Sequence, residues 1–167
     1  PVNGNPALTG NNSAFTGTVV LNPGGQLSYG TTLNAFGTST VTINGGVFAS
    51  GGTSSALTTP NFILQGNFTI GNPNGNGTVN TGVGAVTLNP TSGNTITITT
   101  STNSGITIGG PVGDGGHAYG ITALTGSGVN ASSLLLSGSL SFTGPLTVGT
   151  TTNTLGTPMG AATFTNR

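Results

Sequence analysis

Short runs of alternating apolar and polar residues fill this chain, and Gly, Asn and Pro separate them. Val41 and Ile43 alternate with Thr40, Thr42 and Asn44, and Phe68 and Ile70 with Asn67 and Thr69. Val86/Leu88, Ile96/Ile98, Ile106/Ile108, Leu140/Phe142 and Leu146/Val148 repeat the pattern. A period of two, rich in β-branched residues and bounded by turn formers, predicts strands with one buried face. Helix formers are scarce: the chain has no Glu or Lys, and its one Arg is Arg167. No long helix is expected.

A longer period lies over the short one. Val20-Leu21-Asn22-Pro23, Val41-Thr42-Ile43-Asn44, Phe62-Ile63-Leu64-Gln65, Val86-Thr87-Leu88-Asn89 and Ile106-Thr107-Ile108-Gly109 end alike. The residues that follow these strands stand at 22, 44, 65, 89 and 109, at steps of 22, 21, 24 and 20. A period of about 22 residues marks a repeat architecture. Each repeat fits one coil of a parallel β-solenoid, with coils about 4.8 Å apart. Equivalent side chains then stand above one another, and Asn22, Asn44, Gln65 and Asn89 are the candidates for an amide ladder at a turn. A β-sandwich also explains short strands separated by closely spaced turn signals. It does not require their endings to recur, and it normally carries more outward charge.

Two phrases carry a family resemblance. Leu8 to Asn22 reads LTGNNSAFTGTVVLN, and Leu136 to Gly149 reads LSGSLSFTGPLTVG. The second lies within Gly120 to Gly149, where Leu124, Gly126, Gly128, Leu136-Ser137-Gly138, Phe142-Thr143-Gly144 and Leu146-Thr147-Val148 punctuate the run. Leu33 to Gly46, LNAFGTSTVTINGG, closes the first copy, and Asn153 to Arg167, NTLGTPMGAATFTNR, resumes that ending. These segments, about 8–49 and 120–167, resemble the autotransporter-associated β-strand repeat. Ala123 stands about where that family usually has Lys, and Phe replaces its common Tyr. The resemblance implies a right-handed parallel β-helix, located outside the bacterial cell or on its surface. The length fits one such domain over 1–167. The family repeat carries no catalytic residues to transfer. A loop insertion between coils is expected at about 109–120.

Charge then narrows the partners. Asp114 and Arg167 are the only charged side chains, and His117 is the only histidine, where an average domain is roughly 25% charged. Phosphate contacts need Lys and Arg, so nucleic acid and anionic membranes are not expected as partners. Low net charge promotes association, which makes a second copy of the chain, or a continuation of a longer repeat chain, the expected partner. The 32 Gly and 9 Pro approach a low-complexity composition, but the apolar residues are patterned and the high charge typical of disorder is missing. There is no Cys, hence no disulfide framework. With so few groups that could change pKa on folding, the fold is expected to change little between about pH 2 and pH 10.

Little here suits catalysis. Asp114 and His117 lie three residues apart in PVGDGGHAYG, and a metal site needs further ligands. The plainer reading is a surface loop. Ser and Thr abound, yet a nucleophile needs a partner base. GGPVGDGG and NPGG lack the Lys and helix of a P-loop. No enzyme activity, cofactor or metal is therefore expected. Asn11, Asn67, Asn76 and Asn130 sit in Asn-x-Ser/Thr sequons.

The expected role is a structural module that stacks end to end as a fibre subunit or rigid stalk. The alternative is an adhesin or autotransporter passenger that binds glycans through aromatic or Asn-rich turns. Behind both stands an ice-binding protein, suggested by Thr-x-Thr pairs in TITITT (Thr95 to Thr100) and Thr40-Val41-Thr42. In the linear sequence those pairs are mostly isolated.

Overall fold

The computed structural model describes residues 6–30, 34–51, 57, 60–71, 77–101, 104–125, 133–149 and 162–164. Among them there is no helix, and every strand pairing is parallel. Sixteen strands form in chain order. The first eight are β1 (Ala7–Leu8), β2 (Thr18–Leu21), β3 (Gln26–Tyr29), β4 (Thr40–Ile43), β5 (Val47–Ser50), β6 (Asn61–Leu64), β7 (Phe68–Ile70) and β8 (Gly77–Asn80). Then follow β9 (Val86–Leu88), β10 (Thr95–Thr100), β11 (Ser104–Ile108), β12 (Val112–Gly113), β13 (Gly120–Thr125), β14 (Ser133–Leu136), β15 (Leu146–Gly149) and β16 (Ala162–Phe164).

They sort into three parallel sheets. The first runs β1-β3-β5-β7-β10-β13-β15, the second β2-β4-β6-β9-β12 and the third β8-β11-β14-β16. The chain visits the second sheet, then the first, then the third, and starts again one layer up. That is a three-faced β-solenoid of about 5 turns. In the coil of β2 and β3 the third face is not a strand: residues 34–38 form a turn that buries Ala35 and Phe36.

Coil length departs from the expected 22. In the second sheet Val19, Val41, Phe62, Val86 and Val112 pair in succession, at steps of 22, 21, 24 and 26. A bridge from Val112 to Leu140 adds a step of 28. In the third sheet Val79, Ile106 and Leu134 step by 27 and 28. Coils thus average roughly 25 residues; in the first sheet the steps are 21, 21 and 22, then 30, then 25 and 25, so the later coils are longer than the first ones without lengthening steadily. The expected step of 20 was a change of face. Gly109 follows β11 in the third sheet, whereas the strand that stacks on β9 is β12. The segment read as a loop insertion, 109–120, therefore contains the second-sheet strand of its own coil. Leu140 and Phe142, read as a strand, contribute only the single bridge at Leu140.

The alternation works as the pattern requires. In β10 the even positions Ile96, Ile98 and Thr100 are buried and the odd threonines are half-buried on the outer face. Inward rows merge into one core across all coils. In the early coils it holds an aromatic cluster: Tyr29, Phe36, Phe48 and Phe62 pack with ring centroids 5.7 to 6.1 Å apart, a spacing that favours tilted and edge-on pairs. The Tyr29 hydroxyl crosses to β8, where it accepts from the Asn80 N–H at 3.0 Å and donates to the Asn80 carbonyl at 3.4 Å.

One corner explains several glycines at once. A Cβ on Gly84 would coincide with the Pro60 carbonyl oxygen, one on Gly110 with that of Gly84, and one on Gly138 with that of Gly110. These residues head successive second-sheet strands or the bridge at Leu140, so the backbone of each coil rests directly on the one below.

Candidate functional surfaces

The four ladder candidates do stand in one column. Asn44 N–H donates to Leu21 O at 2.8 Å, Gln65 N–H to Ile43 O at 2.8 Å and Asn89 N–H to Leu64 O at 2.9 Å. Their side chains make only one link: Asn44 Nδ2 donates to Asn22 Oδ1 at 3.0 Å. Asn44 Oδ1 is buried without a partner, so the amide ladder stops after two members. Gln65 instead uses its main-chain oxygen, which accepts from Thr91 N–H at 2.9 Å and Thr91 Oγ1 at 3.1 Å.

Side-chain oxygens extend the ladders elsewhere. Asn61 Oδ1 accepts from Ala85 N–H at 3.0 Å, and Asn67 Oδ1 from Thr97 N–H at 2.8 Å. Each replaces a main-chain carbonyl where a strand begins. No periodicity flags them, because the bond runs from side chain to the backbone of the next coil.

Asp114 does the same at the end of β12. Val112 N–H donates to Ser139 O, and Ser141 N–H to Val112 O, both at 2.9 Å. At the next rung the Asp114 carboxylate takes over: Oδ2 accepts from Thr143 N–H at 2.9 Å and Thr143 Oγ1 at 3.0 Å. Oδ1 accepts from Gly116 N–H at 2.9 Å, while the Asp114 main-chain oxygen turns to His117 N–H at 3.3 Å. The Thr143 N–H first, and the Gly116 N–H next, hold the carboxyl down at about 2, against an ordinary value of 3.8. Asp114 is 1% exposed. It is an internal staple between coils rather than part of a surface loop.

The turn it anchors is exposed. Gly115 and Gly116 have φ of 62° and 83°, and Ala118, at 57°, is the one non-glycine with positive φ among the described residues. His117 stacks on Tyr119 with ring centroids 5.4 Å apart. Asp114 turns its carboxylate inward to N–H groups while His117 lies outside, so the pair makes no metal site. Among the described residues no group of three metal-ligating side chains exists, nor does any helix long and apolar enough to cross a membrane. Of the sequons, Asn11 and Asn67 are exposed, and each uses Oδ1 to accept a main-chain N–H. Asn76 and Asn130 lie outside the described residues.

The two ends of the solenoid form the remaining surface. Val41, Phe62, Val86 and Val112 are at most 2% exposed, but Val19 and Leu140, which end that row, are only half-buried. Ile98 and Ala123 are buried, and Val148 on the next strand is 40% exposed. Leu8 at one end and Phe142 and Leu146 at the other are also half-buried. Strands β1, β2, β15 and β16 each pair on one edge only among the described residues. Comparison with protein-family models, curated proteins and solved structures finds no match.

Proposed function

We propose that the chain is a non-enzymatic structural module of the bacterial surface or extracellular space, stacked end to end in a fibre or stalk. One observation carries this reading. Among the described residues, the inward apolar rows are only half-buried or exposed toward both ends of the solenoid, at Leu8 and Val19 and again at Leu140, Phe142, Leu146 and Val148. Edges of that kind template further pairing unless charge, Pro or a cap blunts them. Asp114 is buried, and Arg167 is the only other charged residue. Further coils, from a second copy or from more of the same chain, extend the rows. Two different ends meeting head to tail give an open filament when the rotation does not close.

Electron microscopy of the purified chain, with its intact mass measured alongside, tests this. Fibres or rods are expected, and Val148→Lys, which adds a charge at an already exposed position, should shorten them at least several-fold. Monodisperse globular particles at high concentration overturn the reading. The adhesin alternative draws on the exposed His117, stacked on the half-buried Tyr119, and glycan binding lost on Tyr119→Ala would favour it.

A further inference from the structure

The register brings together threonines that look isolated in the sequence. Thr97, Thr122 and Thr147 are direct partners on three adjacent strands, β10, β13 and β15. Each stands a full coil from the next along the chain, so no local motif reveals them. Thr95 and Thr99 flank Thr97 on the same outer face of β10, and Thr99 pairs with Thr69 of β7. Six threonines from four strands thus share one face of the first sheet. None of their hydroxyls has a hydrogen-bond partner among the described residues, unlike the inward Thr100, whose Oγ1 donates to Leu124 O at 3.3 Å. The face carries no charge.

The geometry points to this face as an ice-binding surface. Neighbouring strands set hydroxyls about 4.8 Å apart across the sheet, and alternate residues set them roughly 6.6 Å apart along a strand. Both repeats lie close to oxygen spacings on faces of hexagonal ice. Each threonine adds a methyl group, so the patch presents hydroxyls in register between apolar dots, with a shallow depression at its Thr69 and Thr99 side. A ligand that matches it must itself be periodic and neutral. One hydroxyl gains little by exchanging one water for another. Several hydroxyls held in register by the backbone ladder engage a lattice together, without an ordering cost at each contact. The second sheet offers a more broken set: one outward column runs Thr18, Thr40, Asn61 and the next Val20, Thr42, Ile63, Thr87, so no three threonines stack on adjacent strands. The inference does not rest on end-to-end stacking.

Ice-crystal growth in a solution of the purified chain tests it. Faceted crystals and a gap between melting and growth temperatures are expected. Thr122→Lys, at the centre of the array, should abolish both, as should Thr147→Lys at an exposed strand where folding is not at stake. Thr42→Lys, on the second sheet, should keep both, and circular dichroism should show every variant folded. Unshaped crystals from the folded parent chain overturn the inference, and so does equal loss in the Thr42→Lys control. Adsorption to an insoluble neutral polysaccharide without any effect on ice also overturns it, and assigns the face to glycans.

Discussion

Among the described residues, two side chains have shifted pKa values, and they couple folding to pH in opposite ways. The Asp114 carboxyl is held at about 2 against 3.8 unfolded, first by the Thr143 N–H. A depressed folded value means the unfolded chain binds the proton more readily. The stabilisation is complete above about pH 4 and disappears as pH falls toward 2. Burial pushes the Tyr29 hydroxyl from 10 up to about 12, partly offset by its bond to Asn80. Here the folded state keeps the proton longer, so the stabilisation is complete below pH 10 and disappears as pH rises toward 12. Denaturant midpoints measured against pH should fall on both limbs. Asp114→Asn should flatten the acid limb, and Tyr29→Phe the alkaline one. Tyr29→Phe also leaves the Asn80 N–H without its partner, at a cost of about 1–3 kcal/mol. The acid limit thus starts higher than composition implies, because the one carboxylate is built into a ladder.

At the scale of the elements, the glycine corner is the feature most exposed to mutation. Gly110→Ala places a methyl group on the Gly84 carbonyl oxygen, and neither backbone can retreat without breaking coil contact. Overpacking typically costs about 1–3 kcal/mol, and a rigid backbone neighbour puts this case at the top of that range or above. Gly93→Ala is the contrast: nothing lies within 4 Å of its Cβ, and only its φ of 69° opposes the change. Thermal unfolding should show the larger loss for Gly110→Ala. Strands such as β4, β7, β9 and β10 were legible because buried and exposed residues alternate strictly there. The coil period was legible as long as it stayed near 22. It failed at Gly109, because the third face had by then become a strand and a similar ending occurred on a different side. Asn61, Asn67 and Asp114 were illegible as ladder members: a side chain that stands in for a carbonyl has no periodic signature. The threonine face was hidden for a related reason, since its partners are a whole coil apart.

For the whole molecule, the solenoid fold follows from the two periods together, while the role proposed for it follows from the lack of charge and from the half-buried rows that end the described core. The first sheet runs through every coil, so it links both ends of the core to the threonine face. Tyr29 ties the first coil to the third across the interior. That tie makes the early coils one cooperative block rather than separate layers.

The difference between early and late coils has a consequence for any filament built from copies of this chain. The pairing steps by 21 or 22 at one end and by 25 to 28 at the other, so each joint sets a coil of fewer residues against one of more. Five turns at about 4.8 Å make each copy roughly 24 Å long. The outline should therefore swell and step back once per copy, a ribbing with that axial repeat, readable as a layer line in the averaged transform of its images. A uniform chain of identical coils would leave the line blank. That difference doubles as a ruler that counts subunits along the fibre.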